Sequence, residues 1–348
     1  HLFNLPVILI VIIGELLAAL TYALAVFVTL KLLPFKKDLF KFLMLLPIVI
    51  QQAGSFSYDV TLISLSFIFV AYILNLKFQS KKIENMDVLK LLVMLFVITV
   101  IKIPYLLLGL LVFILPIKKL NLKIFKLRID EKFIVKNKKI LLLFFIIAVI
   151  LGVILMCKVS VGRTLIAFFL HPISFIKILF TTLKSHGTGF IYTIVGNLGW
   201  LDVKTSILFG VFVVLSGLMF CFFEFDKKDS RKQPFSKKEI IYLVFLFILL
   251  CIIIILSLFE WTLTWVHLIP DYSNWSISDI GKYINENNFA IDGIQGRYFV
   301  PFLSLICLPI FSTKISSKLE KISTIYKFIY FSILIIYLFV IILFRYWI

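Results

Sequence analysis

The side chains able to do chemistry stand in four short polar stretches separated by long apolar runs. The first runs from Gln51 to Asp59 and sets Ser55, Ser57 and the Asp59 carboxylate close together. A carboxylate beside two hydroxyls at the membrane–water boundary suits the orienting of a hydroxylated substrate. The same residues suit a helix N-cap, in which Ser57 or Asp59 accepts backbone N–H bonds. The second stretch, Lys102-Ile103-Pro104-Tyr105, breaks a helix at proline and leaves one cation there. That cation is either a phosphate contact or a lysine snorkelling from a helix end. The third holds His171 and, further on, Gly196-Asn197-Leu198-Gly199-Trp200-Leu201-Asp202. Trp200 can stack on a sugar ring while Asn197 and Asp202 bond its hydroxyls, or it can sit in an interfacial aromatic belt. His171 and His186 are each open to a structural or a catalytic role. The fourth stretch, from Asp292 to Pro301, contains Gln295-Gly296-Arg297-Tyr298. The planar guanidinium fits phosphate or carboxylate, and Gly296 would let such an anion come close to the backbone. Alternatively Arg297 is an interfacial anchor. Glu260, Trp261, Trp265 and His267 begin the same segment and are placed to face it.

Other residues carry weaker signals. Glu15 lies inside an apolar run, where it is either a helix-packing carboxyl or part of an ion pathway. Cys157, Cys221, Cys251 and Cys307 have no metal-binding spacing and read as packing residues. There is no metal–nucleotide DxD, HExxH, P-loop or GxSxG motif. No cofactor is therefore expected, and only a divalent cation stays open. Asn274-Trp275-Ser276 fits a glycosylation sequon.

The elements that must position these residues follow from composition. Of 348 residues, 62% are hydrophobic and 16% charged, against about 45–50% and 25% in a soluble domain. Lipid must be the solvent for most of the chain. An ordinary cytosolic enzyme, a disordered chain and a disulfide scaffold are excluded. The net charge of +18 then marks cytoplasmic loops rather than nucleic-acid binding. Spans are expected at 7–30, 60–76, 140–157, 207–223, 240–259 and 328–344. Four further runs, 42–53, 91–101, 103–117 and 299–313, are short for a span, because fifteen residues of α-helix cover only about 22 Å.

Most Lys and Arg fall in five clusters: 31–41, 77–90, 118–139, 227–238 and 314–327. If all five face the cytoplasm, an even number of spans separates each from the next. The expectation is an all-α polytopic bundle of about ten crossings, residues 1–348 forming one transmembrane domain. Its outer-face loops are 158–205 and 260–298, and its basic cytoplasmic loop is 117–139, which touches anionic headgroups. Residues 171–184 have apolar side chains at helical spacing with two Lys and read as an amphipathic interfacial helix. Both ends of the chain fall outside, which is natural if a helix precedes His1.

Taken together, SFSYD (55–59), KIPY (102–105), His171-Pro172, GNLGWLD (196–202) and IQGRYFVP (294–301) resemble the bacterial domain-of-unknown-function 2142 family of polytopic membrane proteins. That family is similar in pattern to GT-C-fold glycosyltransferases, which take a sugar from a polyprenyl-phosphate carrier on the outer face. The resemblance implies a multi-pass protein of the bacterial plasma membrane that passes such a sugar to a cell-surface polysaccharide or glycolipid, with polysaccharide machinery as its partners. It implies a substrate site of Ser55, Ser57, Lys102, Tyr105, His171, Trp200, Asp202, Gln295, Gly296, Arg297 and Tyr298, with Asp59 as the catalytic carboxylate nearest to hand. Such proteins typically carry an acidic Pro-Asp-Glu motif in the first outer loop, and this chain starts after that position. The preferred base is therefore expected outside this sequence. The alternatives are a transporter or flippase for a lipid-linked or anionic solute, which predicts midplane ionisable residues and repeats, and a non-catalytic scaffold in polysaccharide assembly.

Overall fold

A computed structural model describes residues 6–55, 57–124, 127–137, 139–140, 154, 158–195, 205–223, 234–267, 269 and 271–346. The chain is overwhelmingly helical. α1 (Val7–Leu32) leads into two short helices, α2 (Lys37–Met44) and α3 (Pro47–Ala53), broken before Pro47. α4 (Tyr58–Phe78) and α5 (Asn85–Ile101) follow, then a 3₁₀ segment, Ile103–Ile114. A small antiparallel hairpin, β1 (Leu122–Ile124) and β2 (Leu127–Ile129), precedes α6 (Glu131–Lys136). The second half comprises α7 (Ser160–Leu170), α8 (Pro172–Val195), α9 (Ile207–Phe222), α10 (Lys237–Trp261), α11 (Ile277–Glu286), α12 (Val300–Cys307) and α13 (Thr313–Tyr346).

Four helices among the described residues are long and apolar enough to cross a membrane: Val7–Leu32, Tyr58–Phe78, Lys237–Val266 and Ile322–Phe344. α9, expected as a full span over 207–223, is a helix of 16 residues, about 24 Å long. The expected span 140–157 lies almost wholly outside the described residues. The fifth basic cluster, expected in a loop, instead forms the first turns of the 34-residue α13. The expected outer loops are also largely helical where described, through α7 and α8 in one and α11 in the other.

Charge is sorted to the two ends of the bundle. At one end Lys36 donates to the carbonyls of Cys307 (3.2 Å) and Ile310 (2.6 Å). Asp38 pairs with Lys41 (2.9 Å) and Lys327 (2.6 Å). Lys77 pairs with Glu239, and Lys119 donates to the Lys77 carbonyl at 2.6 Å. Asn75 reaches the Leu32 carbonyl at 2.8 Å. Thus the first, second, third and fifth basic clusters meet at this end, together with the described edge of the fourth. Asp59 lies at the other end of α4, eighteen residues from Lys77, or about 27 Å along the axis.

Two of the short runs reach from end to end by departing from plain α-helix, whereas 91–101 is the later part of the 17-residue α5. Tyr105 bonds the Tyr298 carbonyl at the Asp59 end, while the Ile114 carbonyl accepts from Lys77 at the other. Twelve α-helical residues would cover about 18 Å. Wound as 3₁₀ at about 2.0 Å per residue they cover about 24 Å. The buried side chains of this segment are Tyr105, Leu108, Leu111 and Ile114, three apart, as a three-residue turn requires. Residues 297–310 likewise connect the Arg297 end to the carbonyls that hold Lys36.

A second, smaller core sits on the Asp59 end. α7 and α8 meet at 105° and enclose, with α11 and the end of α10, Ala167, Phe168, Ile178, Phe259, Leu263, Tyr272, Ile280 and Ile284. The outward face of α8 is apolar, with Ile173, Ile176, Phe180 and Leu183 exposed. Its other face bonds the cap: Ser174 to Asn285 (2.6 Å) and Thr181 to Asn288 (2.9 Å).

The Asp38 cluster gives a stability prediction. Burial pushes its carboxyl up, but hydrogen bonds from Lys327 and Lys41 prevail and hold it below the usual carboxylate range. Its folded value lies under its unfolded one, so this stabilisation is complete above the ordinary carboxylate range and is lost as pH falls through the folded value. Asp38→Ala should lower stability by about 2 kcal/mol near neutral pH. It should also remove part of the acid-dependent loss, as read by thermal unfolding in detergent.

Candidate functional site

Three segments far apart in sequence bring their charges together at the end away from the lysine clusters. Ser57 caps α4 by accepting the Asp59 N–H at 3.2 Å. This leaves the Asp59 carboxylate free of capping duty, and it turns to Arg297, whose Nε stands 3.4 Å from Oδ2. Lys102, at the break between α5 and the 3₁₀ segment, brings Nζ to 4.0 Å from Oδ1. Asp59 is 7% exposed in its side chain, against 28% for Arg297 and 27% for Lys102. The carboxylate is therefore the floor and the cations are the accessible rim.

Tyr298 completes the group. Lys102 Nζ lies 3.9 Å from its ring centroid and the Arg297 guanidinium carbon 5.5 Å. Cations over an aromatic face are held by its quadrupole without being neutralised. Fully buried Tyr105 donates to the Tyr298 carbonyl at 2.7 Å, locking the backbone beside Arg297. Burial lowers the Lys102 amine below the usual lysine range; Asp59 opposes the shift and Arg297 adds to it. Among the described residues Arg297 Nε has no hydrogen-bond partner, the nearby Asp59 oxygen being an ion-pair contact only. Among the described residues Asp59 is the one carboxylate beside these two cations, so one positive charge has no paired counter-charge there. An anion is what such a site can take.

Residues 292–297 are pinned at two points. Thr262 Oγ1 accepts the Asp292 N–H at 3.0 Å, and Thr193 Oγ1 accepts the Gly296 N–H at 2.8 Å. Between them Gly293 takes a left-handed turn, φ +72°, beneath the Trp261 ring. Beside Trp261 a cavity of about 530 Å³ is lined by Ser257, Glu260, Thr264 and Trp265. Asp292 also meets His186 of α8, Oδ1 to Nε2 at 3.3 Å. The sequence marks each of these two residues in its own segment, but nothing in it announces the pair.

Other expected site residues sit elsewhere or act differently. His171 ends α7 and docks on α11, its Nδ1 3.1 Å from Asn285 Nδ2 and its Nε2 in the space beside Gly281. Its contacts are therefore those of a cap joint. The space beside Gly296 is filled by α8, since a Cβ there would stand 2.2 Å from Ile194 N. That glycine admits a helix backbone where an anion was expected. Gln295 precedes the 3₁₀ turn Gly296–Tyr298 and accepts the Tyr298 N–H at 3.1 Å. Ser55 donates to the Gln52 carbonyl at 2.8 Å. Trp200 and Asp202 lie outside the described residues. Glu15 is seventeen residues from Leu32, about 26 Å along α1. Because Leu32 meets Asn75, this carboxyl stands near the level of Asp59 rather than midway through the bundle. No group of three or more His, Cys, Asp or Glu suited to a metal occurs among the described residues.

A family model described as a predicted membrane protein, DUF2142, matches residues 1–306. The chain belongs to this family. No curated protein and no solved structure matches it. The match covers Asp59, Lys102 and Arg297, so the three charges of this DUF2142 protein all fall within the shared region. The family description names a membrane protein and no activity.

Gly296→Ala tests how tightly the arginine is positioned. Its Cβ would meet the Ile194 backbone, which has no rotamer by which to yield. The expected result is a protein that still folds in detergent but binds inorganic phosphate at least tenfold more weakly, as read by isothermal titration.

Proposed function

We propose that this protein is a membrane glycosyltransferase that receives a sugar from a polyprenyl-phosphate carrier at the outer face of a bacterial plasma membrane. The observation that carries the reading is the juxtaposition of Arg297 and Lys102 over the buried Asp59 carboxylate, at the end of the bundle opposite the lysine clusters. The lysine-rich end is cytoplasmic by the positive-inside rule. The chain then makes about ten crossings in a GT-C-like arrangement, with the short runs, the 3₁₀ segment among them, counted as spans. A lipid-linked donor enters from the bilayer. Its phosphate displaces Asp59 from the cations, which hold the negative charge that grows on the leaving phosphate as the sugar–oxygen bond breaks. Asp59 positions the two cations before substrate arrives. It becomes available to the acceptor hydroxyl once the phosphate has taken its partners. Tyr298 and Tyr105 fix the rim, and Ser55, Ser57, Gln295, Trp200 and Asp202 are the remaining candidates to touch the sugar. Cell-surface polysaccharide or a glycolipid is the acceptor, and envelope polysaccharide machinery is the partner.

Transporter and scaffold readings gain no comparable support. Among the described residues Glu15 stands near the level of Asp59 rather than at mid-bundle, which lends a transport path less support. A scaffold gives no reason for two cations to share one buried carboxylate.

Two measurements test the reading. Arg297→Ala in membranes supplied with labelled polyprenyl-phosphate sugar should lower transfer by about 10²–10³-fold; unchanged transfer removes the clamp. Phosphate binding should also weaken with rising pH earlier than for an ordinary lysine, because the Lys102 amine loses its proton below the usual range. Lys102→Arg keeps its charge throughout and should flatten that dependence.

A further inference from the structure

Resting on the glycosyl-transfer reading, we infer that the cavity beside Trp261 seats the acceptor, and that the ligand it takes is an uncharged, hydroxyl-rich saccharide. Glu239, in the first turn of α10, pairs with Lys77 at the lysine-rich end. Glu260 stands twenty-one residues further on, about 31 Å along the axis, and so at the end that carries Asp59. There the helix changes pitch. The His267 N–H bonds the Thr262 carbonyl at 2.9 Å, five residues back, and Thr262–Val266 winds as a π-turn. Such turns are rare and are found mostly at functional sites. Ser257, Glu260, Trp261, Thr264 and Trp265, spaced by three and four, share one side of this stretch. They line about 530 Å³, within the range of small-molecule pockets.

The lining decides the ligand. Trp261 and Trp265 are 43% and 70% exposed, so both present ring surface that the protein leaves uncovered. Trp261 is more than an interfacial anchor, because the turn at Gly293 lies against its ring: a Cβ there would stand 2.9 Å from Cζ3. That contact fixes the ring beside the cavity. The lining hydroxyls have committed their protons inside the helix. Ser257 donates to the Ile254 carbonyl at 2.8 Å and Thr264 to the Glu260 carbonyl at 2.9 Å. Each keeps lone pairs with which to accept. Glu260 takes a bond from Ser160 and has further acceptor capacity. Among the described lining residues the cavity therefore offers ring faces and acceptors, with the indole N–H groups as donors. A sugar matches this set: its C–H face lies on an indole while its O–H groups donate to the hydroxyls and the carboxylate. A quaternary ammonium would suit the rings, but it donates no hydrogen bond to Ser257 or Thr264. A carboxylated sugar would be opposed by Glu260.

Gly293, against the Trp261 ring, is four residues from Arg297, so their Cα atoms are at most about 14 Å apart. The saccharide thus sits at the same end as the clamp. The cavity holds and orients it, and proton transfer stays with Asp59.

The test uses the full chain in nanodiscs. The probes are tri- and tetrasaccharides released by mild acid from the surface polysaccharide of the cells that make the protein, titrated calorimetrically beside choline chloride. The oligosaccharides should bind and choline should not. Trp265→Ala, at an exposed position, should weaken that binding about tenfold. Trp261→Phe, which keeps a ring over Gly293, should weaken it by a smaller factor. In transfer from labelled polyprenyl-phosphate sugar, Trp265→Ala should raise acceptor KM about tenfold while donor KM and kcat stay within about twofold. Absence of oligosaccharide binding overturns the assignment, as does choline binding in its place or saccharide affinity unchanged in Trp265→Ala. Should Trp265→Ala fail to fold, Trp265→Leu, which keeps apolar bulk without the ring face, decides by the same criterion. Saccharide binding that Trp265→Ala weakens, in a protein that transfers no sugar, removes the glycosyl-transfer reading and leaves a saccharide site. Transfer whose acceptor KM ignores Trp265→Ala removes the site and leaves the reading.

Discussion

Asp59 holds a negative charge in a nearly dry position, and three segments must agree on how it is neutralised. The cost of taking a carboxylate out of water is several kcal/mol unless cations and hydrogen bonds replace the solvent. Here the end of α5 and the turn before α12 bring those cations to the start of α4, so one buried charge sets where three distant pieces of chain come to rest. Ser57 makes this arrangement available. By taking over the helix cap it leaves the neighbouring carboxylate to face inward across the bundle. The opposite end repeats the logic with Asp38 between Lys41 and Lys327. The apolar length of α4 lies between the two charged layers.

Between those layers apolar attraction has little directing power, because lipid tails are as apolar as the side chains they would replace. Shape and a few polar contacts must fix the packing instead. Fully buried Tyr105 and the aromatic cluster of Phe42, Phe220 and Tyr330 supply shape. Tyr22 to the Met44 carbonyl at 2.6 Å, Tyr242 to the Leu110 carbonyl at 2.7 Å and Ser216 with Tyr326 at 2.8 Å supply the bonds. The first joins the consecutive α1 and α2; the other two join segments more than a hundred residues apart. The cap obeys a different rule. Its α11 opens with a Ser276–Asp279 capping box and buries Ile280 and Ile284 on one side, as a helix of a water-soluble domain does.

The long helices α4 and α10 are legible in the sequence as unbroken apolar runs and α1 as a run interrupted by Glu15, and Asp59, Lys102 and Arg297 stand out because each charge lies at the edge of an apolar run. The sequence could not disclose the 3₁₀ winding of Ile103–Ile114. Every face of that stretch is apolar, so a period of three and a period of 3.6 read alike. Nor could it disclose that Gly296 yields to a helix. A glycine beside an arginine is equally suited to an anion and to close packing, and only the position of Ile194 decides. The meeting of His186 with Asp292 was out of reach for the same reason: each is a lone polar residue until α8 folds back over the segment that follows α11.

The stripe of Tyr105, Leu108, Leu111 and Ile114 has a consequence for how this protein tolerates change in length. On a spiral with three residues per revolution, adding or removing a single residue swings everything beyond it by about 120°, turning the inward stripe toward the surroundings. Only a change by whole triplets keeps the stripe aligned, and each triplet alters the reach by about 6 Å. Length variation among relatives in this stretch should therefore be absent or come in threes, a rhythm that ordinary α-helical spans do not impose.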